Sequence, residues 1–293
     1  MKHHECQVAV VGAGPAGCAA AIQLTRAGID TLLVEKAEVG GLLCNAGLIE
    51  NYPGFPEGIR GLEMAGFLKL QLRRLGVRLL RDEIISVRTS GGFMLQGNLH
   101  EIESKYLILA TGTRPADPGI NVPAIIRRFV DSEIRPALKC SDRTIAIVGA
   151  GDAAFDYALN FSRKNRVILI SRSGTDRCLP ILKKRVTAND RIELLRETSI
   201  LRIDKGRLKK ISLGLKSQSG SSIMEVDLLI FAIGRIPEDR LLQGWNWKKK
   251  LEEGKLFQAG DLINGLHRQA VIAAGDGMKA ALSITGELNE NNR

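Results

Sequence analysis

The sequence predicts an α/β fold of two doubly wound parallel sheets, the second set into the first. Three observations predict it. An apolar run and glycine-rich turn, VAVVGAGPAG, spans Val8–Gly17 and opens into a helical pattern. A second turn of the same design, IAIVGAGDAA, recurs over Ile145–Ala154. Each is answered further on by a buried run ending in small residues, YLILATG from Tyr106 and DLLIFAIG from Asp227, with Arg and Pro close behind. One short glycine pattern arises easily by chance. Two in the same context point to two nucleotide-binding units that pass electrons between two cofactors. The class is therefore α/β with two Rossmann-like dinucleotide-binding domains, three-layered, the second inserted in the first.

Taken in order, the first unit reads as a strand over 7–11, a helix over 15–27 and a strand over 31–35, with Gly28 as the helix cap. Residues 40–61 are so rich in Gly and Pro that an irregular, functional loop is expected. An amphipathic helix follows over 61–75. Alternation over 77–88 and 92–103 predicts antiparallel strands turning at Gly91-Gly92. The run 106–112 is a buried strand, and Pro115, Pro118 and Pro123 mark a crossing. The second strand–turn–helix–strand unit occupies 144–171. Short strands are expected at 192–195, 199–203, 207–214 and 223–226, and a buried one over 227–234. A strand, a turn and a long helix over 267–284 close the chain.

Composition narrows the function classes. The 293 residues are 44% hydrophobic and 25% charged, which suits two ordinary domains and excludes a disordered chain. No apolar run is long enough to span a bilayer. The N-terminus passes straight into the first strand without a signal peptide, so a cytoplasmic protein is expected. The net charge of +10 is spread over basic pairs and triplets such as Arg73-Arg74, Arg127-Arg128, Lys183-Lys184-Arg185 and Lys248-Lys249-Lys250. It reads as a solvated basic surface or as one that attracts acidic partners. Aromatic residues are only 4% and no recognition motif is present, so nucleic-acid binding is not expected. Five widely spaced cysteines (Cys6, Cys18, Cys44, Cys140, Cys178) argue against a disulfide scaffold. His3, His4 and Cys6 imitate a metal site but lack a fourth ligand, and no metal is expected.

The chemistry follows from the turns. Gly12 permits the tight bend, Gly14 lets backbone approach a pyrophosphate, and Gly17 lets helix and strand pack closely. Glu35 ends the next strand, where a carboxylate can accept from both hydroxyls of a ribose. In the second turn Gly149, Gly151 and Ala154 take the same parts. The strand after it ends in Ser171 and Arg172 in place of an acid, and Arg177 lies five residues on. Arginine there pairs with a 2′-phosphate, which favours NADP(H) over NAD(H). Asp261, between a strand and a helix, can accept from a sugar-like hydroxyl, although a turn or cap role is the simpler reading of it alone.

The chain resembles the low-molecular-weight thioredoxin reductases, flavoproteins of the pyridine nucleotide-disulfide oxidoreductase superfamily. The resemblance rests on VGAGPAG (11–17), GGLLCNAGLIENYPGFP (40–56), LILATGTRP (107–115), IVGAGDAA (147–154), FAIGRIP (231–237) and LFQAGDLINGLHRQA (256–270). It implies an FAD-binding domain over 1–113 and 240–293 and an NAD(P)H-binding domain over 114–239. FAD would meet Gly12, Gly14, Pro15, Ala16, Gly17, Glu35, Lys36, Gly41, Leu42, Ala110, Thr111 and Gly112. Asn51 would lie near the flavin, Gly260 and Asp261 at the ribityl chain, and Arg268, Gln269 and Ala270 along the isoalloxazine. NADP(H) would meet Gly149, Gly151, Asp152, Ala153, Ala154, Arg172, Arg177, Ile233 and Gly234. A homodimer is also implied.

The departures matter as much. Where the family carries Cys-x-x-Cys before the second glycine turn, this chain has Ser132, Glu133, Ile134 and Arg135. No thiolate can form there, so the hydride-to-disulfide relay is missing. Ser171-Arg172-Ser173 stands where the family has His-Arg-Arg. The chain also stops soon after its last helix, unlike ferredoxin–NADP reductases on this scaffold, which extend further over the flavin. The expected function is an FAD-dependent NAD(P)H oxidoreductase that passes electrons to a soluble acceptor such as ferredoxin or flavodoxin. Reduction of an external, thioredoxin-like disulfide through Cys44 or the flavin is the alternative enzyme reading, and a non-catalytic flavin-binding regulator the alternative outside catalysis.

Overall fold

Hydrophobic residues at every second position of one strand feed two different cores, and that pattern builds the first sheet. In β1 (Lys2–Val11), Val8 and Val10 face one core while Ala9 and Val11 face another. The computed structural model describes residues 1–290; residues 291–293, included in the expected first domain, lie outside the described residues. After β1 come α1 (Pro15–Arg26), β2 (Thr31–Glu35), α2 (Gly61–Arg74), β3 (Arg78–Arg81), β4 (Ile84–Ser90), β5 (Gly92–Gly97), β6 (His100–Leu109) and β7 (Thr113–Pro115). There follow β8 (Val130–Asp131), β9 (Thr144–Val148), α3 (Asp152–Ser162), β10 (Arg166–Ile170), α4 (Pro180–Thr187) and β11 (Ile192–Leu195). Next are β12 (Ser199–Lys205), β13 (Ile211–Ser217), β14 (Gly220–Val226), β15 (Leu228–Phe231) and β16 (Arg235–Pro237). The chain closes with α5 (Trp247–Glu252), β17 (Leu256–Gln258) and α6 (Ala270–Glu290).

The chain divides into two compact units. The first holds Met1–Cys44, Ile49–Arg114 and Ile236–Arg293, and the second holds Asn45–Leu48 and Pro115–Arg235. In the first unit the sheet order is β3-β2-β1-β6-β5-β4, with β17 also paired to β6. Pairing is parallel from β3 across to β6 and at β17, and antiparallel through β6, β5 and β4. α1 and α6 cover one face with Cys18, Ala20, Leu24, Ala281 and Ile284. Phe93, Leu95, Ile102 and Leu109 fill the other. In the second unit β11-β10-β9-β15-β8 form a parallel sheet, and β12-β13-β14 an antiparallel one. α3 buries Phe155, Ala158 and Phe161 against one face of the parallel sheet, while Leu213, Leu215 and Val226 belong to the core that includes Ile168 and Ile170. Two parallel α/β sheets thus stand where the two glycine turns predict them.

Several elements differ from expectation for identifiable reasons. β1 begins at Lys2, because Lys2–Cys6 pairs with His100–Ser104 although its side chains are largely solvated. The expected strand over 77–88 breaks at Asp82, and the one over 92–103 breaks at Asn98-Leu99. One buried carboxylate causes both breaks: Asp82 accepts from the backbone N–H groups of Glu83, Asn98, Leu99 and His100 at 2.8, 3.1, 3.1 and 2.9 Å. The last helix starts at Ala270 and not at 267, since His267 N donates to Asn264 O at 2.7 Å and closes a separate turn. It then runs past 284 to Glu290. α4 and α5 were not foreseen; at eight and six residues they are too short to show a helical period.

Candidate functional site

The two glycine turns are built alike. In the first unit Gly12, at φ +103°, donates its N–H to Val34 O at 2.8 Å, and a Cβ there would lie 2.3 Å from Ala110 O. In the second, Gly149, at φ +153°, donates to Ile170 O at 2.9 Å, and a Cβ would lie 2.3 Å from Ala232 O. Each turn is pressed against the end of the strand that the sequence paired with it. Gly14 and Gly151 cap α1 and α3 with extended backbone, no side-chain cap, and nothing within 4 Å of the direction a Cβ would take. These are the positions at which the amides of a helix N-terminus can be reached by a pyrophosphate.

The third position of the motif differs between the turns. A Cβ at Gly17 would fall 1.7 Å from Gly12 O, so α1 meets its turn more closely than any side chain allows. Ala154 is accommodated in α3, fully buried, its Cβ 3.0 Å from the Cβ position of Gly149.

Around the first turn the sequence-predicted residues gather. Glu35 accepts from Ala13 N at 2.7 Å through one carboxylate oxygen and from Ala37 N at 2.8 Å through the other. Both oxygens keep further lone pairs for ribose hydroxyls. Gly41 opens a 3-10 turn, Gly41–Asn45, and a Cβ on it would lie 3.3 Å from Gly14 Cα; Gly40 N donates to Ala13 O at 2.8 Å. This brings Gly41, which Leu42 follows, beside Gly14, which Pro15 and Ala16 follow. Lys36 turns instead to Glu83, at 3.4 Å. Ala110 N donates to Val11 O at 2.8 Å, and the Thr111 hydroxyl donates to Glu238 O at 2.7 Å. Gly112 takes φ +68° and accepts from Glu238 N at 2.9 Å.

Asn51 and Gln269 meet: the Asn51 amide donates to Gln269 Oε1 at 2.8 Å. Gln269 O in turn accepts from Ala273 N at 2.9 Å, which seats Arg268, Gln269 and Ala270 at the start of α6. Asp261 sits in a 3-10 turn, Gly260–Leu262, directly after β17. What holds that turn is not legible in sequence: Gly260 N and the Asn264 amide both donate to Asp276 Oδ2, at 3.1 and 2.6 Å.

Around the second turn, Arg177 N donates to Ala150 O at 2.8 Å and forms a bridge with Gly151, so backbone fixes it beside the turn. Asp152 accepts from Leu179 N at 2.7 Å. Its charge is thereby engaged away from the open amides, next to Ala153. Arg172 is exposed at the end of β10. Asp176, between these arginines in sequence and with its side chain shielded, is not legible from the sequence pattern. Its carboxylate is held below the usual range by Arg196, which binds it through two nitrogens at 3.0 and 2.8 Å, and by Lys183 at 3.1 Å. Arg196 and Lys183 are thus committed to Asp176, while Arg172 and Arg177 are both exposed. Gly234, at φ +117° after Ile233, accepts from Ala116 N at 3.1 Å.

At the positions of the missing cysteines Ser132 and Glu133 are half-buried and Arg135 is exposed. Asp131 accepts from Ser132 N and Glu133 N at 2.7 and 3.1 Å, and Ile134 is fully buried. Glu133 lies 3.5 Å from Arg235, and Arg135 N donates to Asn45 Oδ1 at 3.1 Å. The thiols elsewhere are sheltered. Burial pushes Cys6 and Cys18 up to about 12, and raises Cys140 and Cys178. Cys44 is buried, with its sulfur 3.7 Å from Val39 O and 3.2 Å from the Cβ position of Gly40. Among the described residues no helix is long and apolar enough to cross a membrane.

The residues fit the two groups that the turns imply. Each helix N-terminus lies open where a Cβ is absent, no acidic residue stands in the first turn of α1, and the one in α3 is engaged. Comparison with known proteins agrees. The sequence model of the pyridine nucleotide-disulphide oxidoreductase family matches residues 6–286. The thioredoxin reductase of Streptomyces coelicolor is 30% identical over 94% of this chain and 91% of its own length. That of Chlamydia trachomatis is 30% identical over 96% of this chain and 97% of its own. The crystal structure of Lactococcus lactis thioredoxin reductase superposes with a TM-score of 0.87 at 25% identity, covering 97% of this chain and 99% of that one. Its two turns, the sheets behind them and these likenesses place the chain in the pyridine nucleotide-disulphide oxidoreductase family, as an FAD-dependent NAD(P)H oxidoreductase.

Proposed function

We propose that this chain carries electrons from NADPH, by way of FAD, to a small soluble acceptor protein of the ferredoxin or flavodoxin kind, with no thiol of its own in the path. The first unit is assigned to FAD and the second to NADPH. The observation that carries the reading is the thiol-free segment Ser132–Arg135, together with the raised thiols of Cys6, Cys18, Cys140 and Cys178. A relay through a dithiol needs an accessible thiolate, and none is offered there. The net charge of +10 supports an acidic partner, since such a field raises encounter rates.

The chain's own residues do the positioning. When bound, FAD supplies the chemistry of accepting hydride from NADPH and yielding electrons onward. The open amides of α1 and α3 hold pyrophosphates, and Glu35 accepts from ribose hydroxyls. Asn51 fixes the orientation of the Gln269 amide, so its NH2 group is left to donate to the ring edge. Arg172 and Arg177 pair with the 2′-phosphate. A cytoplasmic homodimer is part of the proposal.

A second reading has its own support, because the curated relatives are named thioredoxin reductases. In it the acceptor is an external thioredoxin-like disulfide, reduced through Cys44 or directly. One anaerobic experiment separates the two. NADPH consumption is followed with ferredoxin, flavodoxin and oxidised thioredoxin in turn, using the parent and Cys44→Ser. The first reading expects ferredoxin or flavodoxin to be reduced at equal rates by both proteins. Reduction of thioredoxin alone, abolished in Cys44→Ser, overturns it.

A further inference from the structure

We propose that Asp276, on the second turn of α6, is the positioning residue that sets the Gly260–Asn264 turn and so determines where Asp261 meets FAD. The inference rests on the reading of the first unit as the FAD unit. β17 ends at Gln258, and the last ladder-like bond of this segment runs from Ala259 N to Leu109 O at 3.0 Å. Beyond it the sheet no longer dictates the backbone. Asp276 takes over there. A single oxygen, Oδ2, accepts from Gly260 N at 3.1 Å and from the Asn264 amide at 2.6 Å. That amide also donates to Gly260 O at 2.9 Å, so Asp276, Asn264 and Gly260 close a three-membered clasp around Asp261.

The clasp is registered to the first glycine turn as well. Gly260 adopts φ +73°, and a Cβ on it would lie 2.9 Å from Ala16 Cβ. Gly277, the neighbour of Asp276, comes so close to α1 that its Cβ would fall 1.9 Å from Ala16 O. One step along α6 therefore separates the contact that seats this helix on α1 from the carboxylate that grips the turn. Ala16 follows Gly14-Pro15, so the pyrophosphate end and the Asp261 end of the FAD path are tied to the same stretch of α6.

Because only Oδ2 takes part, an amide oxygen can replace it without loss of either bond, and an aliphatic side chain cannot. This gives the test. Apoprotein is prepared from the parent, D276A, D276N, N264A and the N264A/D276A double variant. FAD binding is titrated by flavin fluorescence, with the visible spectrum of the bound flavin and thermal unfolding of each apoprotein recorded alongside. D276A is expected to bind FAD at least about tenfold more weakly and to shift the flavin band, as loss of a charge-assisted bond predicts. D276N is expected to bind within about twofold of the parent, and the double variant no more weakly than D276A, since both residues belong to one clasp. If D276A does not accumulate as folded protein, N264A carries the same expectation of weakened binding and a shifted band. Parent-like affinity and spectrum in D276A or N264A, or a D276N as weak as D276A, overturns the inference while leaving FAD in the first unit. A parent that binds no FAD overturns that reading and this inference with it.

Discussion

Gly17→Ala and Ala154→Gly exchange the two residues that distinguish the glycine turns, and they should behave very differently. A Cβ at Gly17 would sit 1.7 Å from Gly12 O, whereas ordinary contact begins at 3.4 Å. α1 must therefore withdraw by roughly 1.7 Å, and the obstacle is backbone, which cannot rotate away. Overpacking of this kind costs about 3 kcal/mol. α1 packs against both β1 and α6, so the displacement spreads through the core that holds Cys18, Ala20, Leu24 and Ile284. For a chain of 293 residues that corresponds to a fall in Tm of roughly 5 °C. It should also bring loss of bound FAD, because the helix amides move with the helix. Ala154→Gly removes one buried methyl and adds helix entropy, about 1 kcal/mol and a few degrees. Its FAD content should stay intact. The assay is the ratio of flavin to protein absorbance after purification, with thermal melts of both variants. A Gly17→Ala protein with full flavin and a Tm within about 1 °C of the parent would refute the reasoning.

The remaining expectations concern the second turn and pH. Arg172→Ala and Arg177→Ala should each raise KM for NADPH about tenfold and leave KM for NADH unchanged, as loss of a charge-assisted phosphate contact predicts; equal effects on both coenzymes contradict the 2′-phosphate role. Asp176 is held below its ordinary range in the folded protein, so the unfolded chain binds the proton more readily. Its stabilisation is present above about pH 4 and lost as pH falls through the lower, folded value. Urea melts at about pH 5 and pH 3 should show Asp176→Asn losing less stability than the parent over that interval; an identical loss refutes the assignment. Rapid mixing with NADPH should bleach the flavin band, with NADH slower at equal concentration; the same rate for both argues against Arg172 and Arg177 selecting the coenzyme.

The parts of the fold visible in sequence were those set by local rules. The glycine turns, the acid at the end of β2 and the buried runs of β6 and β15 obey spacings that steric contact imposes within a few residues. Glu35 could be named because its distance from Gly12 is fixed by one strand–helix–strand unit. What stayed hidden depends on partners distant in sequence. Asp82 breaks two strands because it gathers N–H groups 16 to 18 residues away, a role its own neighbours do not reveal. Asp276 reaches back to Gly260 and Asn264, and Asp176 is held by Arg196, 20 residues on. The loop over 40–61 was legible as irregular, but not that Gly47 N within it donates to Asp156 at 2.7 Å. Carboxylates that gather partners distant in sequence carry no period, and pattern reading passes over them.

The grip of Glu238 on Gly112 and Thr111 has a consequence for modularity. The chain leaves the first unit just after Gly112 and is stitched back to that same residue, N–H to carbonyl at 2.9 Å, on its return. The two cut ends of that domain thus adjoin, and a linker of a few residues would close them at small entropic expense. Residues 115–235 can accordingly be treated as a cassette whose removal leaves the first unit contiguous, provided that Asn45–Leu48, which accepts from Arg135 N through Asn45 and donates to Asp156 through Gly47 N, is replaced along with it.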